Sequence, residues 1–289
     1  MSRIARAAIS VTLSLACADA AGPQPSERGT RIAFQRGVDT TFNIYESSPD
    51  GSGLQNLAAS FGVRNLQPSW SPDGRRLVFV SDHTPAGLYV MNADGSGKHA
   101  ISQAGLGPAY PAWSPDGSRI AFSSSRGGAS DIWIVDLDGS NLVQVTFFGA
   151  EAPAWTPDSK AIAYSDLDIG AIGLVDLSDM KRYQVTFPPS GGVDQFPAWA
   201  PDGTALAFVR STATTAQVLC VLFAGDTIPK PLTSFAIGSD WTPAWAPTGH
   251  QLVFAHDSNY DFDLFIIKED GTGLQPLTSG PGLDFRPSW

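Results

Sequence analysis

The stretch Pro111-Ala112-Trp113-Ser114-Pro115-Asp116-Gly117, followed by Ile120-Ala121-Phe122, decides the fold because it recurs. Its indole reappears as Trp70, Trp155, Trp199, Trp245 and Trp289, at spacings of 42 to 46 residues, and a Pro stands two places before each of the six. After five of them comes the same turn, as Ser71-Pro72-Asp73-Gly74 and Ser114-Pro115-Asp116-Gly117. It degenerates to Thr156-Pro157-Asp158-Ser159, Ala200-Pro201-Asp202-Gly203 and Ala246-Pro247-Thr248-Gly249. Pro presets φ at the first turn position, Asp bonds the backbone, and Gly accepts a positive φ, so the chain reverses there. A second strand follows at a fixed offset: Leu77-Val78-Phe79, Ile120-Ala121-Phe122, Ile162-Ala163-Tyr164, Leu206-Ala207-Phe208 and Leu252-Val253-Phe254.

Working outward, a third apolar run begins at Leu88, Ile132, Ile172, Val218 and Leu264. A second turn, often Asp-Gly (Asp94-Gly95, Asp138-Gly139, Asp270-Gly271), follows it. Asp-Gly is a strong hairpin signal. A fourth strand is expected over Val143 to Thr146, Tyr183 to Thr186 and Leu274 to Thr278. Four short antiparallel strands in about 44 residues make one propeller blade. The first repeat has strands at Arg31 to Phe34, Asn43 to Tyr45 and Leu54 to Leu57 but no Trp strand, and the last repeat is only a Trp strand, Phe285 to Trp289. The fold expected is therefore all-β: a six-bladed β-propeller of four-stranded antiparallel blades. Phe285–Trp289 joins the N-terminal blade and closes the ring, which also removes an open sheet edge. An indole at one offset in every blade suits blade-to-blade packing; carbohydrate stacking is the sharper alternative.

Composition agrees. The chain has 43% hydrophobic and 16% charged residues, with 29 Gly and 22 Pro. This is material for a large core and many turns. The formal net charge of −10 disfavours a phosphate backbone as partner, so no nucleic-acid role is expected. Residues 1–21 read as a secretory signal. Arg3 and Arg6 form a basic start, and Ala7 to Ala16 an apolar run too short to span a bilayer as a helix. Two processing readings stand open. Leu13-Ser14-Leu15-Ala16-Cys17 is a loose lipobox that would lipidate Cys17, tether the protein to a membrane and favour the outer membrane. Ala18-Asp19-Ala20 is an ordinary cleavage site that would release a soluble periplasmic protein. Residues 22–30 are a short linker and 31–289 the propeller. Of the two cysteines, Cys17 lies in the leader and Cys220 in an apolar run. No structural disulfide is expected, and Cys220 reads as a small buried hydrophobe.

The repeat of Pro-x-Trp-Ser-Pro-Asp-Gly, Ile-Ala-Phe, Asp131-Ile132-Trp133 or Asp263-Leu264-Phe265, and Asp-Gly resembles the TolB-like (WD-like) propeller repeat over roughly residues 30–289. TolB itself carries an α/β domain before its propeller, so the resemblance is to the propeller alone. It implies a periplasmic protein that binds other envelope proteins, an analogy from fold; the same repeat also occurs in the propellers of prolyl-oligopeptidase-like enzymes.

Chemistry is sparse. No Gly-x-Ser-x-Gly nucleophile elbow occurs. His83, His99, His250 and His256 stand at different offsets and read as solvated loop residues, although His83 and His256 both follow a second strand. No cofactor is expected. The one metal suggested is calcium, at Asp257, Asn259, Asp261 and Asp263, whose oxygens alternate as in a calcium loop. Phe262 stands where an EF-hand needs Gly and Lys268 where it needs Glu, so a plain turn is the bland reading. Specificity is expected in the variable loops before each Trp strand, because the tight turns hardly vary. Those loops carry Arg64, Tyr110, Glu151, Asp194, Phe196, Asp240, Trp241, Asp284 and Arg286, expected to ring the channel mouth and meet a protein or a glycan. A propeller enzyme of the polysaccharide lyase, hydrolase or lactonase type, or a small-ligand sensor, is the alternative. A monomer is expected.

Overall fold

The computed structural model describes residues 31–38, 40–101, 107–213, 215–235, 237–258, 261–280 and 282–289. The leader, the linker and Cys17 lie outside them. Six four-stranded antiparallel sheets follow one another around a ring, each in the strand order inner, second, third, outer. In blade two these are Asn65–Trp70, Arg76–Ser81, Gly87–Asn92 and His99–Ala100. The inner strands of blades three to six are Pro108–Trp113, Ala150–Trp155, Val193–Trp199 and Ser239–Trp245. Blade one is assembled from both ends. Leu283–Ser288 pairs with Ile32–Val38, with Gly37 opposite Leu283, Arg36 opposite Asp284 and Gln35 opposite Phe285. No described helix is long and apolar enough to cross a membrane.

The repeated residues have recurrent jobs. In the turn, Ser71 Oγ donates to Asp73 Oδ1 (2.6 Å) and accepts from Arg76 N–H (2.9 Å), tying the turn to the start of the second strand. Ser114 does the same with Asp116 and Arg119, and Thr156 with Asp158 and Ala161. Gly74 sits at φ +68°, and where Ser159 replaces this Gly it takes φ +59°. The threonines near the blade ends accept the N–H of the third strand across the sheet: Ile132 to Thr146, Ile172 to Thr186, Leu219 to Thr233 and Leu264 to Thr278, at 2.8–2.9 Å. There the hydroxyl stands in for a ladder carbonyl. This shortens the outer strands from the four or five residues expected to Val143–Gln144, Arg182–Gln184 and Gln275–Pro276. Outer edges this short offer little template for pairing with another chain.

The core lies between blades. Each second strand gives one fully buried aromatic (Phe34, Phe79, Phe122, Tyr164, Phe208, Phe254). Each repeat Trp packs on the preceding blade: Trp113 joins Val78 and Leu88, Trp245 joins Ala205 and Leu219, and Trp289 joins Val253 and Leu264. Trp155 and Trp245 also donate Nε1–H to the backbone of the previous inner strand, at Ala112 O and Ala198 O. Arg76 and Arg119 lie over Trp113 and Trp155, 4.9 and 5.0 Å from the ring centroids.

Cys220 is buried against Phe208 and Leu206, and burial pushes its thiol up to about 12. The thiolate is the reactive species. In a Cys17→Ser variant, a thiol reagent at pH 8 is therefore expected to count no cysteine in the folded protein and one after denaturation. Rapid labelling of the folded protein would contradict this burial.

Candidate functional site

The inner strands share one irregularity that builds the channel. In every blade the residue before the Pro of Pro-x-Trp has a positive φ: Gln67, Tyr110, Ala152, Phe196, Thr242 and Arg286, between 44° and 59°. Pro has no N–H to give to the ladder, so the pairing register slips across it in each blade. The bulge aims these six side chains at the axis, where they line a cavity of about 340 Å³. Tyr110 and Arg286 are two of the nine residues expected at the mouth, and Phe196 is a third.

The structure gathers the aromatic and basic members of that expected set. Phe196 lies 5.9 Å from Tyr110 and 6.0 Å from Trp241. The guanidinium of Arg286 crosses the channel to lie 4.2 Å above the Tyr110 ring and 5.1 Å from Phe196, and Nη2 donates to the Tyr110 hydroxyl at 2.9 Å. Burial holds the Arg286 pKa below its ordinary value, an effect opposed by Tyr110 and by the charge of Glu151. Three aromatics that were not among the residues expected at the mouth extend the row. Phe262 is 6.4 Å from Trp241, Phe285 is 5.4 Å from Phe262, and Phe42 is 6.1 Å from Phe285. Arg64 is exposed and lies over Phe42 at 5.7 Å. The signal for Phe285 was its place two residues before the Pro of the last Trp strand; nothing local marked Phe42.

The three aspartates are placed otherwise. Asp194, Asp240 and Asp284 are at most 1% exposed. They stand two residues before the bulge and face into the sheet, not out at the mouth. Asp284 takes a two-pronged pair from Arg36, at 2.6 and 2.5 Å, and Asp194 from Arg210, at 2.6 and 2.7 Å. These bonds raise both arginine pKa values. Asp240 bonds His256 Nδ1 at 2.8 Å and accepts from Thr233 Oγ1 and from Leu219 N–H. His256 is thus buried and stacked on Phe235 at 3.7 Å, in contrast to the solvated loop residue expected. His83 stacks on Phe61, and His99 and His250 are exposed.

The acidic run around residue 260 is a hairpin between Gln251–Ser258 and Asp261–Lys268. Asp257 accepts from Ser239 N–H and Trp241 Nε1–H, while Asp263 accepts from Thr278 Oγ1. Burial, then the charges of Asp261 and Asp284, raise the Asp263 pKa. Asn259 lies outside the described residues. Among the described residues no three His, Cys, Asp or Glu converge as a metal-holding group.

A second feature of the same face is apolar and exposed. Phe147 and Phe187, each directly after a blade-ending Thr, are 71% and 70% exposed, and Leu167 and Ile169 are close to half exposed. Their loops touch in series. Leu167 N–H donates to Gly149 O at 3.0 Å, and Asp194 N–H to Gly170 O at 2.9 Å. The four side chains therefore stand on adjoining loops of blades three and four.

Ring, bulged inner strands and loop face define a closed six-bladed propeller with a narrow lined channel. The sequence profile of the TolB beta propeller domain matches residues 10–235, and the chain belongs to that family. Among curated proteins, a TolB homolog from Chlorobium luteolum is 28% identical over 247 residues. The match takes in 85% of this chain and 46% of that relative, so the chain spans less than half of its length. Two solved structures share the fold. TolB from Acinetobacter baumannii superposes with a TM-score of 0.81 at 23% identity, over 91% of this chain and 67% of that one. A putative TolB from Agrobacterium tumefaciens superposes with a TM-score of 0.72 at 20% identity, over 87% and 90%.

Proposed function

We propose that the chain is an exported, non-catalytic interaction module of the bacterial cell envelope, holding a partner protein on its loop face. The observation that carries this reading is the set of exposed apolar side chains Phe147, Leu167, Ile169 and Phe187 on adjoining loops of one face. Large contiguous apolar surface rimmed by polar residues marks protein contact sites, and aromatics with Arg dominate their energetics. The secretory reading of residues 1–21 and the TolB relatives support an envelope location. Cys17 would add a lipid tether if the lipobox is used, and mass spectrometry of the mature N-terminus decides that point.

The double variant Phe147→Ser/Phe187→Ser is expected to keep its melting temperature, since both rings are already exposed and surface changes of this kind stay within about 0.5 kcal/mol. It is expected to lose the products that the wild-type protein gives on crosslinking in intact envelopes. An unchanged crosslink pattern would remove this face from the reading.

A further inference from the structure

The channel holds a cation with no carboxylate hydrogen-bonded to it among the described residues; Glu151 acts on it through its charge alone. Arg36 and Arg210 are each matched by a carboxylate in two-pronged geometry. Arg286 has Tyr110 and Phe196 beneath it and one hydrogen bond through Nη2. Its Nη1 is buried and has no hydrogen-bond partner among the described residues. On the neighbouring blade, the hydroxyl of Thr242 is buried and unpartnered in the same way, and both residues line the same cavity. The positive φ of Thr242 is the one that the bulge imposes in all six blades, so the two unfilled donors alone single out these positions.

We propose that the channel is a carboxylate site, in which the carboxylate accepts from Arg286 Nη1 and Thr242 Oγ1 and the rest of the ligand lies against Tyr110 and Phe196. Two unfilled donors match two oxygens. A single cation suits a single negative charge, whereas a phosphate dianion would call for more donors than the ring supplies. A buried charge without a partner is costly, so a bound anion relieves it. The cavity, at about 340 Å³, is at the small end of the range for ligand pockets. Apolar rings next to a few fixed polar groups are the usual lining of such pockets. The carboxylate could belong to a free small acid or to the C-terminus of a peptide; the chemistry is shared. The site stands on the channel residues alone, so it survives or falls independently of the Phe147 and Phe187 test.

The test is calorimetric titration and thermal shift on the full chain at constant ionic strength. Acetate and benzoate form one arm. Gly-Gly-Phe, with a free or an amidated C-terminus, forms the other, and chloride is the reference ion. At least one free carboxylate is expected to bind saturably and at least tenfold more tightly than chloride. Amidation is expected to abolish any peptide binding. Arg286→Met should weaken the binding at least tenfold and Thr242→Val several-fold, the latter keeping the proposal testable if the former misfolds. Which arm binds more tightly identifies the source. The proposal is overturned if no carboxylate in either arm exceeds chloride, or if binding survives both substitutions.

Discussion

A chain lacking residues 283–289 is expected to show no cooperative unfolding transition at 25 °C. The segment is the inner strand of blade one, and its removal acts at three places at once. Trp289 leaves the interface it fills with Val253 and Leu264 of blade six, a loss of about 3–5 kcal/mol for an indole of this kind. Arg36 loses its two-pronged bond with Asp284, at about 1.5–3 kcal/mol for a hydrogen-bonded charged group. The pairing edge of Ile32–Val38 is opened to other chains. Against a net stability of about 5–15 kcal/mol for a whole domain, these losses are decisive. Circular dichroism with thermal melting reads the result. A truncated protein that melts cooperatively at the wild-type temperature would show that the ring does not depend on its closing strand.

Asp194→Ala is expected to destabilise the protein by about 1.5–3 kcal/mol, measured from the urea midpoint, because it leaves the part-buried Arg210 guanidinium without its two-pronged partner. Asp194→Lys is expected to be worse, with two cations facing each other. Exposed Arg64→Glu should change stability by no more than about 0.5 kcal/mol. This contrast matters for any binding experiment on this face. Charge reversal at Asp194, Asp240 and Asp284 would abolish binding by abolishing the fold, and the loss would say nothing about a partner. An Asp194→Ala cost below about 1 kcal/mol would mean that Arg210 finds another partner or water.

What the sequence disclosed follows from the range of the interactions. The turns rest on contacts within a few residues, so Ser-Pro-Asp-Gly and Asp-Gly carry them openly, while the blade count and the ring closure follow from counting the repeat: the strand missing from the first repeat is the one left over at the end. The inner strands begin three or four residues before the Pro-x-Trp runs that marked them, and the closing strand runs Leu283–Ser288 where Phe285–Trp289 was expected. The aspartates were misplaced because their partners are fixed by strand register alone. Asp194 meets Arg210 and Asp240 meets His256 across a hairpin, and Asp284 meets Arg36 from the far end of the chain. A one-residue difference in register would have turned the same carboxylates outward. The bulge settles which residues of each variable loop reach the axis. Its cause, the Pro of Pro-x-Trp, was in view, but its effect on the preceding residue was not.

The six bulge positions behave like the tumblers of a lock. The backbone there is dictated by the following Pro and by pairing with the second strand, and it is alike in all six blades whether the residue is Gln, Tyr, Ala, Phe, Thr or Arg. The backbone conformation therefore does not depend on which of these side chains is present, while the lining of the channel does. Exchange at a single position rewrites the charge, polarity or bore of the passage while the bulge that presents it stays the same. A propeller of this type can thus drift from one ligand to another in single substitutions, without passing through an unfolded intermediate in its history.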